Sequence, residues 1–216
     1  MSLEVMMRQL AGGMFTTIQI FVLTLLFSLP LGLLVSFGRM SKNVLVRSVT
    51  KLYISIMRGT PLMLQLLVVY FGPYYIFGIG ISSGYRAYAV VIAFAINYAA
   101  YFAEIYRGGI ESMSRGQYEA AKVLGYTKSQ TFFKIIFPQV IKRILPSVTN
   151  EVITLVKDTS LAFSIAYVEM FTTAKAIAAS QKSMVPLMAA GIFYYIFNFV
   201  VASLMELWEK KLSYYS

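Results

Sequence analysis

Long apolar stretches separated by short polar segments dominate the chain. A membrane-spanning helix needs about 20 predominantly apolar residues, and five stretches reach that length. The first covers residues 14–38, uncharged throughout, with Pro30 inside it. The second covers 52–77 and has Arg58-Gly59-Thr60-Pro61 near its entrance. A glycine- and serine-rich turn at 78–84 follows, with Ser83 expected on the outer surface, and then a third span at 86–106. The fourth, 144–174, is apolar but carries Glu151, Lys157, Asp158 and Glu169. The fifth, 185–208, ends at Glu209-Lys210-Lys211. The pattern predicts an all-α integral membrane protein of five transmembrane helices.

Composition agrees and narrows the chemistry. Hydrophobic residues make up 58% of the 216 and charged residues 13%, against about 25% charged in an ordinary soluble domain. Mean hydropathy is +0.69. The length suits one transmembrane domain over 1–216 and no second folded unit. There is no cysteine and no histidine, which excludes a disulfide framework, a thiol nucleophile, a Ser-His-Asp triad and the usual zinc sites. With no metal-ligand set or nucleophile–base pair visible, an enzyme is disfavoured. Arg8 precedes an apolar stretch too long for the core of a cleaved signal.

The net charge of +10 is a topology signal. Lys and Arg concentrate in loops on the cytoplasmic side. Arg39, Lys42, Arg47 and Lys51 follow span one. Arg107, Arg115, Lys122, Lys128, Lys134, Lys142 and Arg143 follow span three, and Lys210 and Lys211 lie in the tail. The other side holds only Arg8, Arg86, Lys175 and Lys182. This predicts an outside N-terminus, a cytoplasmic C-terminus and a cytoplasmic loop at about 107–143. The basic residues are scattered along loop edges, unlike a nucleic-acid patch.

That loop has helical punctuation. Ser114 with Gln117, and Thr127 with Gln130, fit capping boxes, and Gly125 stands where a helix would end on a left-handed residue. Two angled helices follow, the first about ten residues long and marginal without something to pack on. Tyr118, Ala121 and Leu124 form its apolar stripe, and Ala120 with Ala121 keeps its surface flat. Glu119-Ala120-Ala121, Gly125 and Pro138 resemble the EAA loop of ABC importer permeases. Arg58-Gly59-Thr60-Pro61-Leu62 with Gln65 is similar to the motif opening the second span of polar amino-acid permeases. Asn150-Glu151-Val152 and Thr159-Ser160-Leu161-Ala162 resemble the fourth span of histidine, arginine and glutamine permeases.

The resemblance implies the type I ABC importer permease fold in the cytoplasmic membrane of a prokaryote. In that family the loop is a coupling helix, so Tyr118, Glu119, Ala120, Ala121, Leu124 and Gly125 would dock onto a cytoplasmic ATPase. No Gly-x-x-x-x-Gly-Lys-Ser/Thr stretch occurs in this chain, so ATP and Mg would be bound by that partner. The other implied partners are a second permease subunit, identical or homologous, an extracytoplasmic solute-binding protein and an amino-acid substrate.

Ionised residues inside a bilayer cost about 2.5 to 3.5 kcal/mol each and usually face a cavity or a partner. Glu151 and Asp158 are two turns apart on one helix face, with Thr154 between them, about 12 and 22 Å inward from Arg143. They make either a cavity for a cationic group or part of an internal ion-pair network. Lys157, as a sequence neighbour, does not face Asp158. Asn97, Tyr98 and Tyr101 form a second cluster, and Asn97 either binds substrate or bridges helices. Glu104 is expected to pair with Arg107 or Arg115. Tyr70, Tyr74 and Tyr75 suit an interfacial aromatic belt. A carboxylate pair of this kind favours arginine, lysine or histidine, with Asn97, Thr154 and Ser160 as candidate donors to the substrate carboxylate. The alternative is a secondary amino-acid transporter with Glu151 and Asp158 as an ion site, although no inverted repeat is found.

Overall fold

The computed structural model describes residues 2–82 and 84–213. Ser83, expected on an external turn, lies outside the described residues. Those residues form helices and connections with no strand. The order is α1 (Leu3–Arg39), α2 (Val44–Gly59), α3 (Leu62–Phe77), α4 (Tyr85–Glu111), α5 (Arg115–Val123), α6 (Lys128–Gln130), a π segment (Thr131–Ile136), α7 (Phe137–Asp158), a 3₁₀ segment (Thr159–Ile165), α8 (Met170–Gln181) and α9 (Val185–Ser213).

Three helices (α1, α4 and α9) are individually long and apolar enough to cross a membrane, and there are up to five spans if each of two bent pairs counts as one. α1 starts earlier than the apolar pattern suggested. Its amino-terminal turns are held by Met6, Leu10 and Met14 packing on Met170, Ala174 and Ile177 of α8. α4 is the central element, with Ala89, Ala93, Ala99, Ala100 and Ala103 fully buried. These small residues let α1 approach closely. At Gly32 of α1 a Cβ would stand 2.8 Å from the Phe102 Cβ and 3.0 Å from the Ala99 carbonyl oxygen, so only glycine fits there. α9 is largely exposed along its length, through Met188, Ile192, Ile196, Phe199 and Leu204. In water such a face would be untenable, and it suits a helix long and apolar enough to cross a bilayer.

Two expected spans are broken helices. The stretch 52–77 divides between α2 and α3, bent by 111°. Thr60 is extended at ψ 149°, as the residue before a proline tends to be, and Pro61 supplies no N–H to continue α2. The stretch 144–174 ends its α-helix at Asp158, tightens to 3₁₀, and turns at Ala166 (φ 55°) by 58° into α8. Glu169, fully buried, caps α8, accepting from the Phe171 and Thr172 N–H groups at 2.7 Å each. The Tyr194 hydroxyl donates to the same carboxylate at 3.1 Å. An acidic residue at a helix N-terminus also meets the favourable end of the dipole, so this buried carboxylate is a cap.

Some smaller expectations change as well. Tyr74 and Tyr75 are exposed as a belt requires, but Tyr70 is buried. Arg86 donates to its hydroxyl at 3.3 Å and to the Ala166 carbonyl at 3.1 Å, tying α4 to the second helix break. Glu104 pairs with Arg107 at 2.6 Å as expected, and also with Arg39 at 3.7 Å. A π segment precedes Pro138, where the missing N–H of proline disturbs the regular ladder.

Candidate functional site

The first helix break and the start of the 3₁₀ segment open onto one cavity. It has a volume of about 240 Å³ and is lined by Thr60, Pro61 and Leu62 at the first break, Asn97, Tyr98 and Tyr101 on α4, Glu151, Thr154 and Asp158 on α7, and Leu161. The sevenfold spacing of Glu151 and Asp158 therefore places both carboxylates on the same wall. Among the described residues no cation lies within ion-pairing distance of either one. Asp158 instead accepts a hydrogen bond from the Tyr98 hydroxyl at 2.7 Å. Lys157 is exposed and does not line the cavity.

Five of the six expected substrate residues line this cavity. Ser160 does not: its hydroxyl donates to the Lys157 carbonyl at 2.8 Å, closing the tight 3₁₀ turn. Asn97 lines it, but its amide hydrogens are committed. They go to the Met57 carbonyl at 3.1 Å and to Gln65 Oε1 at 2.9 Å. The Gln65 amide in turn donates to the carbonyls of Met57 and Thr60 and to Thr60 Oγ1. A helix ending at a proline leaves carbonyls without intrahelical donors, and this amide pair satisfies them away from water. Asn97 therefore bridges helices. Thr154 lines the cavity too, its hydroxyl turned back to the Asn150 carbonyl at 2.9 Å.

The 107–143 segment carries a second constellation. α5 ends as expected, with Gly125 at φ +79°. The Thr127–Gln130 capping box forms in both directions. The Ser114–Gln117 box does not. Gln117 reaches instead across to Gln139, the two amides exchanging hydrogen bonds at 2.9 and 3.0 Å, which pins α5 to the start of α7. Of the expected apolar stripe only Ala121 is buried; Leu124 is 73% exposed and Val123 88%. The short helix thus presents Glu119, Ala120, Val123 and Leu124 outward. Beside it a groove of about 650 Å³ is lined by Tyr118, Tyr126, Phe132, Lys122 and Lys128. Partial burial pushes the Tyr118 phenol above its usual range.

The family model for "binding-protein-dependent transport system inner membrane component" matches residues 28–214. The chain belongs to this family. An L-cystine transport system permease, TcyB of Bacillus subtilis, is 35% identical over 95% of this chain and 87% of its own length. A nopaline transport system permease, NocM of Agrobacterium fabrum, is 38% identical over 90% of this chain and 83% of its own. A crystal structure of an amino acid ABC transporter with histidines superposes with a TM-score of 0.85 at 32% identity, covering 95% of this chain and 94% of that one.

The permease is accordingly a subunit of an amino-acid ABC importer, a family that works with an ATPase and a substrate-binding protein. It is a transport component, and ATP hydrolysis resides in a separate subunit. The secondary-transporter alternative falls with that membership. Among the described residues no group of His, Cys, Asp and Glu could hold a metal ion. Gln65 and Arg58 were not among the expected site residues, although the Arg-Gly-Thr-Pro motif lies against the cavity. Their signal was a polar pair flanking a proline inside an apolar stretch.

Proposed function

We propose that this permease translocates basic L-amino acids (arginine, lysine or histidine) by alternating access. The observation that carries the reading is the cavity wall bearing two carboxylates, Glu151 and Asp158, neither of them in an ion pair among the described residues. Both carboxyl groups are half-buried; a partly desolvated charge without an ion-pair partner is costly, and a substrate bringing two cationic groups removes that cost. A neutral side chain leaves one carboxylate unmatched. The relatives' names span cystine, nopaline, glutamine and arginine, so the family alone does not select a substrate and the carboxylate pair is the discriminating feature.

The rest of the reading follows from the basic loops and the exposed short helix. The chain is one domain over 1–216, crossing the cytoplasmic membrane of a prokaryote five times with its N-terminus outside. Residues 107–143 form the cytoplasmic coupling loop. Tyr118, Glu119, Ala120, Ala121, Leu124 and Gly125 carry the contact with an ATPase dimer that binds ATP and Mg. A second permease subunit and an extracytoplasmic solute-binding protein complete the assembly.

The test is equilibrium binding of L-arginine, L-lysine, L-histidine and L-glutamine to the purified permease–ATPase complex. Basic amino acids are expected to bind about tenfold or more tighter than glutamine, and Glu151→Gln to remove that preference, since one charged interaction is worth about 1.5–3 kcal/mol. Glutamine binding as tightly as arginine overturns the reading.

A further inference from the structure

An amino acid in this cavity also brings a carboxylate, and most polar side chains lining the wall have no hydrogen left for it. The hydroxyl of Thr60 donates to the Ile56 carbonyl at 2.8 Å and that of Thr154 to Asn150. The Tyr98 hydroxyl is given to Asp158, and both Asn97 amide hydrogens are spent on the first helix break. Ser160 stands outside the cavity. Of the donors expected for this task, none is free. Against two carboxylates on the wall, a third anion needs a cation.

One stands beside the cavity. Arg58, in the last turn of α2, precedes the lining residues Thr60 and Pro61. Its guanidinium carbon lies 5.4 Å from the centroid of the Tyr101 ring, and that ring lines the cavity. The side chain is exposed and forms no ion pair among the described residues. A guanidinium laid on an aromatic face keeps its edge N–H groups available, and its planar fork matches a carboxylate. The Tyr101 phenol is a second donor at the same corner.

We infer that Arg58, held on Tyr101, is the receptor for the substrate's α-carboxylate and thereby a specificity-determining residue. This rests on the proposed amino-acid cavity, but not on the substrate's side chain being basic. Two acidic groups and one guanidinium are the charge complement of a basic amino acid, which carries two cations and one anion. The 111° break serves this arrangement, because a continuous helix through residues 58–62 would place Arg58 and Leu62 one turn apart on a single rod.

The test compares acids with their amides. L-Arginine, L-lysine, L-glutamine and L-cystine are each titrated into the purified permease–ATPase complex beside the corresponding α-carboxamide, in mildly acidic buffer that keeps the α-amines protonated. For whichever acid binds, the parent should prefer it over its amide by about 10- to 100-fold. Arg58→Gln should remove that preference while amide binding changes little, and Arg58→Lys should restore part of it. Equal losses for acid and amide in both variants would assign Arg58 a purely structural role and overturn the inference, as would a parent indifferent to amidation. If glutamine or cystine proves the ligand, the basic-substrate reading fails while the Arg58 comparison still decides on that pair.

Discussion

Asp158 occupies the last α-helical position before the 3₁₀ segment, and the Tyr98 hydroxyl donates to it across the α4–α7 contact. Two effects are combined there, a hydrogen bond that orders the side chain and a negative charge that would attract a cation. They separate by mutation. Asp158→Asn keeps an oxygen that accepts from Tyr98 but removes the charge. Tyr98→Phe keeps the charge and removes the donor. If the charge is what binds substrate, Asp158→Asn should weaken arginine binding about tenfold or more while the complex stays folded. Tyr98→Phe should weaken it less, and should lower thermal stability by about 1 kcal/mol for the lost hydrogen bond. Calorimetric titration with arginine and thermal unfolding in the same detergent measure both. The reverse order of effects would make Asp158 a structural acceptor. Glu169 shows why charge in an apolar stretch is not sufficient evidence of a site: its carboxylate is filled by the donors of a helix start.

Among the elements, α5 is short and can hold its place only through neighbours. The Gln117–Gln139 amide pair and the buried Ala121 provide that anchorage. The turn that follows depends on Gly125, whose φ of +79° is open to glycine and disfavoured for other residues. Proline, locked near −65°, cannot adopt it. Gly125→Pro should therefore redirect α5 and abolish substrate-stimulated ATP hydrolysis in reconstituted vesicles, with the permease still inserted. Gly125→Asn should retain much of the stimulation, because asparagine tolerates the left-handed region. Normal stimulation in the proline variant would remove α5 from the coupling pathway. The two broken helices follow the same logic at larger scale. Each break frees backbone carbonyls or N–H groups, which protein must satisfy wherever water is excluded. Gln65 and Asn97 serve one, and Glu169 and Arg86 serve the other.

For the whole molecule, the asymmetry of the basic residues is the basis of orientation. Ser82 and Ser129 are exposed on loops assigned to opposite sides, and the chain has no cysteine of its own. Ser82→Cys should react with an impermeant thiol reagent added outside intact cells, and Ser129→Cys only after the inner surface is exposed. The opposite pattern overturns the assigned orientation. Five crossings require each bent pair to act as one span; the two cysteines flank α4 and test that crossing.

Patterns that act along one helix were legible from residue order alone. Apolar length identified the membrane, because a bilayer demands about 20 apolar residues per crossing regardless of fold. The spacing of seven put Glu151 and Asp158 on one face, because helical geometry is local. Gly125, Thr127 and Gln130 announced their turn and cap for the same reason. Only the tertiary structure decided which donors were already spent. Asn97 reads identically as a ligand or a bridge until Gln65 and the Met57 carbonyl stand beside it, and Gln117 chose Gln139 over its own helix start. The 111° break was likewise hidden, since Pro61 permits either a kinked span or two helices, and the choice rests on partners for the freed carbonyls supplied by α4 and by Gln65 of α3. A hydrogen-bond donor has few bonds to give, and which acceptor takes each one depends on residues distant in sequence that only folding brings near.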